Sequence, residues 1–273
     1  MQTTVLSATA ERMMARVAGF NHVNIAHVND PAAEDSMPAE RLPFTVRRVE
    51  TTADLMKAVQ IRHAAYARHV PEFAATLVHP EAADLDPDTV VLLAESKLDG
   101  SPLGSIRIQS NRTQPLKLED SVDLPDWLRN RRLVEVTRLG IEEGRVGKLV
   151  KLALMKGCFQ YCEENGFDYL VVTARTPIDR QYEQLLFSDV FPGQPFVPLS
   201  HVGNMPHRIM ASEIATAEQR WEAVQHPLLK FFRHTRHADI DVSAKPRRGQ
   251  YGTDTVDASW MPMPARRPRS FNS

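Results

Sequence analysis

Apolar and polar positions alternate from Phe44 to Val49 and again from Val134 to Leu139, the period-two pattern of strands with one buried face. Thr89 to Leu98 and Leu103 to Gln109 read as two further strands, joined at Asp99-Gly100 by a strong hairpin signal. Between the first two, the spacing changes. Thr52 to Val70 carries Leu55, Val59, Ile61, Arg62 and Tyr66 at helical intervals, with Thr52 as the cap and Asp54 in the first turn. Pro71 to Asp88 reads as a long loop. Pro125 to Arg132 predicts a short helix with Trp127 and Leu128 packed inward, and the strand Val134 to Ile141 follows. Lys148 to Asn165 predicts a helix stopped by Asn165-Gly166, Phe167 to Thr173 a buried strand, and Pro177 to Phe187 another helix. Phe196 to Leu199 and His207 to Ala211 read as the last strands, before a helix from Ala217 to Gln225 and a short one near Leu228. Helices placed around a mixed, mainly antiparallel sheet make an α+β fold, an α/β sandwich.

The ends are expected to stand apart from this domain. Residues 1–41 read as a flexible arm with a short helical stretch around Glu11 to Val17 and a polar, proline-marked run from Asp30 to Ser36. Residues 42–242 carry the periodic pattern, and residues 243–273, rich in Pro, Arg, Ser and Gly, are expected to be disordered. At 273 residues with 42% hydrophobic and 25% charged content, the composition is that of an ordinary soluble protein. A formal net charge of -1 argues against a nucleic-acid binder. Cys158 and Cys162 lie one helical turn apart, which suits reduced thiols and a cytoplasmic location. No run from Met1 to Phe20 is apolar enough for a signal peptide or a transmembrane segment.

The strand from Val134 to Ile141 carries the candidate chemistry. Glu135, Thr137 and Arg138 place an acid, a hydroxyl and a fixed cation within a few residues, though a solvated strand edge carries such residues as ordinary surface. Their setting is more telling. Arg62-x-x-x-Tyr66, then Asp84 and Asp86, then Gly104-x-x-Arg107, then Glu135-x-Thr137-Arg138 resembles, in order, the acyl-homoserine-lactone synthases. It is more similar still to the N-acyl amino acid synthases that draw acyl chains from acyl carrier protein. The resemblance covers roughly Phe44 to Ala215. It implies the GNAT acyltransferase fold, a mixed central sheet splayed between its fourth and fifth strands, here Val134 to Ile141 and Phe167 to Thr173. It also implies transfer of a fatty acyl group from acyl carrier protein to the amine of a small acceptor, an amino acid, by direct attack. Synthesis of acyl-homoserine lactone from S-adenosylmethionine is one alternative, and a catalytically silent acyl-binding module another. The lactone synthases usually carry a phenylalanine four residues after the first arginine and a tryptophan six further on. Those places hold Tyr66 and Glu72 here, with Phe73 beside them.

Amide formation from a thioester needs a neutral amine, a stabilised oxyanion and an outlet for the thiolate. Glu135 is the candidate general base; the competing role is a structural pair with Arg107 or Arg138. The resemblance places oxyanion donors on the backbone near Arg138 to Gly140, where Gly140 either admits a ligand to the backbone or marks a bulge. Tyr182 is the candidate acid for the leaving thiolate, or a packing residue. Arg62, Tyr66, Asp84, Asp86 and Arg107 are candidates for acceptor binding, with Arg62 or Arg107 able to hold a carboxylate bidentately. Gly144-Arg145-Val146-Gly147-Lys148 follows a strand and opens a helix, a context for the phosphopantetheine phosphate, although Lys148 stands where the family pattern has its first glycine. Arg129, Arg131 and Arg132 with Lys148 and Lys151 make a basic surface for an acidic carrier. The acyl-phosphopantetheine of the carrier, or acyl-CoA, is then a co-substrate, and neither a resident cofactor nor a metal is expected. His201 and His207 flank a loop near the site, each a candidate base or an ordinary hydrogen-bonding residue. His234-x-x-His237 is read as an exposed helix end and not a metal site.

Overall fold

The computed structural model describes residues 37–194 and 196–243; the helical stretch around Glu11 to Val17, most of the predicted arm and the tail beyond residue 243 lie outside them. The main elements are β1 (Phe44–Arg48), α1 (Thr52–Ala67), β2 (Thr89–Ser96), β3 (Pro102–Ser110), β4 (Leu133–Ile141), α2 (Gly147–Glu164), β5 (Tyr169–Ala174), α3 (Asp179–Glu183), β6 (Met205–Glu213), α4 (Ala217–Ala223) and α5 (Leu229–Arg233). Strands β1 to β4 form an antiparallel meander, β5 runs parallel to β4 after the α2 crossover, and β6 returns antiparallel to β5. Among the described residues no helix is long and apolar enough to cross a membrane.

The two faces of the sheet are covered differently. Val46, Leu92, Ile106, Val134 and Val136 pack against Val150, Leu154 and Cys158 of α2. On the other face Val91 and Leu93 meet Leu55, Ala58 and Val59 of α1. The polar face of β4 is no solvated edge, because Glu135, Thr137 and Arg138 are all buried. Alternation in this strand separates an apolar interior from a polar one.

Local chemistry moves some predicted boundaries. Thr51, not Thr52, caps α1 by accepting from the Asp54 amide at 3.1 Å. Residues 125–132 form turns and no helix; Leu128 is buried as expected, but Trp127 stays 42% exposed with its ring edge on Tyr169 at 5.4 Å. The helix expected from Pro177 to Phe187 shortens to α3. The long loop before β2 folds into a one-turn helix, Pro71–Ala74, and 3-10 turns at Ala75–Leu77 and Ala82–Leu85. Two-residue strands, too short for periodicity to reveal, tie the ends together: Ala39–Glu40 pairs in parallel with Arg236–His237, and Ile240–Asp241 lies parallel to β1.

Two irregularities in β4 shape the surroundings of its polar residues. The strand pairs with β5 only through Leu133 to Val136, so the two strands part from Thr137 onward. On the other side Ser105 opposes Gly140 and Arg107 opposes Thr137, so Arg138 and Leu139 share one partner, Ile106, in a β-bulge. Arg138 takes φ 56° there, a left-handed conformation that costs an L residue roughly 1–2 kcal/mol. Gly140 lets helix α1 pack closely on the strand: a Cβ at this position would meet the Arg62 Cα at 2.8 Å. Gly140→Ala is expected to push α1 off the sheet and to lower unfolding free energy by about 1–3 kcal/mol, as over-packed cores do; urea denaturation of the two proteins checks this.

Candidate active site

The bulge decides which way Arg138 points. In a regular strand it would face away from Thr137; the extra residue turns it onto the α1 side. There Arg138 donates from Nε and Nη2 to Glu81 Oε2 and Oε1, each at 2.7 Å. Arg107, opposite Thr137 on β3, donates from Nε to the Thr137 hydroxyl at 3.1 Å and from Nη1 to Glu81 Oε2 at 3.0 Å and Asp84 Oδ1 at 3.3 Å. Arg62 of α1 grips Asp84 through both terminal nitrogens at 2.9 Å and reaches Glu81 at 3.0 Å. The Glu81 amide in turn donates to Asp84 Oδ2 at 2.9 Å. Three guanidinium groups from three elements thus converge on two carboxylates from one loop.

The charges of the cluster tune one another. Burial pushes the Glu81 carboxyl up, but the Arg138 hydrogen bonds and the charges of Arg107, Arg138 and Arg62 outweigh it and hold the group at about 2. Burial and the neighbouring Arg138 pull the Arg107 pKa down. For Arg138 burial acts in the same sense, yet the bonds to Glu81 raise it overall. The Phe73 ring lies 5.0 Å from the Arg138 guanidinium and 5.8 Å from Tyr66. Burial raises the Tyr66 hydroxyl against the pull of the three arginines.

Of the predicted acceptor residues, Arg62, Tyr66, Asp84 and Arg107 gather here, but two expectations change. Asp86 turns away, accepting from the Asp88 amide at 2.8 Å and from the Gln114 side chain. Arg62 is 1% exposed with both terminal nitrogens committed, so it braces the cluster and offers no open fork to a carboxylate. Glu81, the hub, was not among the predicted residues. Its only sequence signal is its place three residues before Asp84, the spacing of a capping pair at the turn Ala82–Leu85.

Glu135 stands apart from the arginines. It is fully buried and pairs with neither Arg107 nor Arg138; Oε2 accepts from the Leu118 amide at 3.4 Å, and Oε1 has no hydrogen bond among the described residues. Burial pushes its carboxyl up to about 7, against the Leu118 N–H and the charges of Arg107 and Arg138. His201 Nε2 lies 3.6 Å from Oε1, and burial, helped by Arg138, brings that imidazole down to about 4. His207 donates from Nδ1 to the Met205 carbonyl at 2.8 Å.

Tyr182 of α3 is buried edge-on against Phe187 at 5.5 Å, and burial raises its hydroxyl pKa, with Tyr66 close enough to add to the shift. At the α2 N-terminus Arg145 and Lys148 are exposed and no side chain caps the first turn. Gly147 is buried there, its Cα facing the Glu142 carbonyl. Lys151 donates to Gln181, and burial with the Lys148 charge lowers its pKa. Arg131 does not belong to this patch. It precedes β4, at the opposite end of α2, whose 18 residues span about 27 Å. With Arg112, Arg129 and Arg132 it lines a separate groove of 850 Å³. His234 and His237 also diverge: His234 meets Glu218 at 3.2 Å, whereas His237 meets the buried Lys156 at 2.9 Å. Cys158 and Cys162 are buried thiols with raised pKa values, packed in the core.

A sheet splayed after the fourth strand, with helices on both faces, is the GNAT acyltransferase fold. The chain belongs to the FeeM family of that class: the family model for N-acyl amino acid synthase FeeM matches residues 57–211. The structure of FeeM from uncultured soil microbes aligns with a TM-score of 0.52 at 16% identity, covering 69% of this chain and 97% of that one. A CoA-dependent acyl-homoserine lactone synthase, BjaI, bound to SAM and isopentyl-CoA, aligns at 0.48 and 16% identity over 71% of this chain and 93% of its own. No curated protein sequence matches the chain. The protein is therefore an acyltransferase of the FeeM/GNAT type.

The Glu81 hub makes a pH prediction. Its folded pKa lies below the unfolded value, so its contribution is present above about pH 4.5 and is lost as pH falls through about 2. Glu81→Gln is expected to lose about 3 kcal/mol at neutral pH and to flatten the stability curve between those limits. Chemical denaturation of both proteins from pH 2 to pH 7 checks it; parallel acid limbs in the two would refute it.

Proposed function

We propose that this chain moves a fatty acyl group from the phosphopantetheine thioester of an acyl carrier protein to the amine of an amino acid. The observation that carries the reading is strand β4, which leaves β5 after Val136 and bulges at Arg138 beside the arginine cluster. The thioester would lie in the opening, its carbonyl facing the β4 backbone from Thr137 to Gly140. Donors in such a dry site act strongly, and losing one costs on the order of 3–4 kcal/mol. The α2 N-terminus with Arg145 and Lys148 suits the phosphate of the pantetheine arm. Tyr182, kept protonated by burial, is the donor for the departing thiolate.

The acceptor would enter on the α1 side. Three guanidinium groups against two carboxylates leave the cluster with excess positive charge, which favours an amino acid's carboxylate over a sulfonium. Phe73 adds to this: its ring already faces the Arg138 guanidinium, so it offers little cation–π attraction to S-adenosylmethionine. Arg138, whose Nη1 takes no part in its two bonds to Glu81, replaces Arg62 as the residue for the carboxylate. Glu135, near neutral in pKa, suits the removal of the amine proton. The free thiols of Cys158 and Cys162 suit a reducing cytoplasm as the compartment of this reaction.

Mass spectrometry of lipid extracts from cells expressing the protein tests the whole reading; an N-acyl amino acid is expected. A homoserine lactone would replace the acceptor assignment, and carrier binding without release of free thiol would point to a silent module. Glu135→Gln is expected to slow transfer at least tenfold, a barrier change of about 1.4 kcal/mol. Charge reversal at Lys148 and Lys151 is expected to raise KM for the carrier several-fold with less change in kcat. Arg131→Glu, at the far end of α2, is expected to leave KM unchanged. Steady-state kinetics at two salt concentrations separates the two surfaces, since exposed charges are screened beyond about 10 Å at 0.1 M.

A further inference from the structure

Among the described residues, Glu135 Oε1 and both ring nitrogens of His201 are buried without a hydrogen-bond partner. An unpaired buried polar atom costs about 1–3 kcal/mol, and three of them in one place are hard to account for as packing. They also face each other, with Nε2 3.6 Å from Oε1. The arrangement is braced. Glu135 is held from one side by the Leu118 amide on the 3-10 turn Lys117–Asp120. His201 lies on another, Ser200–Val202, and the two turns are fastened through Ser121, whose hydroxyl accepts from the Ser200 amide at 2.9 Å. Glu135 itself is sealed beneath the paired part of β4, opposite Val171, with none of its side chain exposed, whereas His201 keeps 11% of its side-chain surface.

We propose that His201 relays the acceptor's proton to Glu135, the two side chains acting as one base. This rests on the acyl-transfer reading. In the resting state neutral His201 carries its proton on Nε2 and directs it at the Glu135 carboxylate. Nδ1, buried without a partner among the described residues, is free to accept once an acceptor ammonium comes within hydrogen-bond reach of it; the ammonium gives a proton to Nδ1, and the Nε2–H bond breaks as a Glu135 Oε1–H bond forms. The products are a neutral amine, a neutral imidazole protonated on Nδ1 and a neutral carboxyl, so the added proton ends on Glu135. Imidazolium never accumulates, which fits its neighbours: Arg138, Arg107 and His207 oppose a charge on His201 more than Asp120 favours one. Arg107 and Arg138 favour the carboxylate at Glu135, whereas burial and Glu119 oppose it. The 3.6 Å gap must close by about half an ångström, and catalytic hydrogen bonds without substrate are often this long.

Two variants separate relay from support. Glutamine at position 201 donates a hydrogen bond to Glu135 but cannot pass a proton on; phenylalanine does neither. The carboxyl band of Glu135, assigned by its absence in Glu135→Gln, can be followed by infrared titration in the protein without substrates. It is expected to titrate near pH 7, to stay within half a unit in His201→Gln, and to rise by a unit or more in His201→Phe. Acyl transfer is expected to fall about 100-fold in His201→Gln, with the wild-type rise in rate through pH 7 lost. Wild-type turnover and pH profile in His201→Gln would overturn the relay, and an unmoved carboxyl titration in His201→Phe would overturn the pairing. If the wild-type protein transfers no acyl group to any amino acid, the acyl-transfer reading fails, while the infrared titration still decides the pairing.

Discussion

Glu81 is the carboxylate through which the site is assembled. Arg62 comes from α1, Arg107 from β3 and Arg138 from β4, and each donates to it, while Asp84 takes the remaining reach of the first two. Burying so many charges is costly unless every one is paired, and leaving one without its partner typically costs about 3–5 kcal/mol. The pairing therefore constrains everything around it. Helix α1 must lie close enough on β4 for Arg62 to reach the loop, which is why position 140 has no side chain. The loop before β2 must fold back over the sheet, and its turns at Pro71–Ala74 and Ala82–Leu85 give it the shape to do so.

Strand β4 is where that constraint meets the chemistry. A regular strand would send Arg138 into the apolar layer beneath α2. The bulge turns it back at the expense of a left-handed backbone, and Glu81 and Phe73 then hold it in that position. The same few residues lose their pairing with β5, so one deformation both aims a cation and opens a cleft. Backbone strain of this kind persists only where the surroundings over-determine it.

How much of this was legible depended on whether the signal was periodic. The strand and helix order, the fourth and fifth strands of the splay and the gathering of Arg62, Asp84, Arg107, Thr137 and Arg138 were readable, because alternation and a familiar order of charged residues mark them. Glu81 was missed because a hub residue on an irregular loop has no period to betray it. Asp86 was drawn in by its nearness to Asp84, yet two residues along an irregular segment suffice to face elsewhere. Arg131 and Lys148 looked like one surface because they are close in sequence; β4, running between them, carries the two to opposite ends of the strand. His201 was in view as one of two loop histidines, but nothing in the chain tied it to Glu135. The strands Arg236–His237 and Ile240–Asp241 were below the length at which alternation means anything.

Those short strands have a bearing on how the molecule comes into being. The Leu42 amide is held by the carboxylate of Asp239, 197 residues away, and among the described residues β1 finds its outer neighbour in Ile240–Asp241. During synthesis at about 5–20 residues per second, β1 is among the first of the described elements to leave the ribosome and the last to be enclosed. For about ten seconds or more, by the same estimate, its outer edge and the apolar side chains of Phe44 and Val46 lack their final cover. Such distant pairing slows folding and lengthens exposure to other nascent chains. The closing stretch of the fold thus sets when the nascent enzyme becomes safe from aggregation.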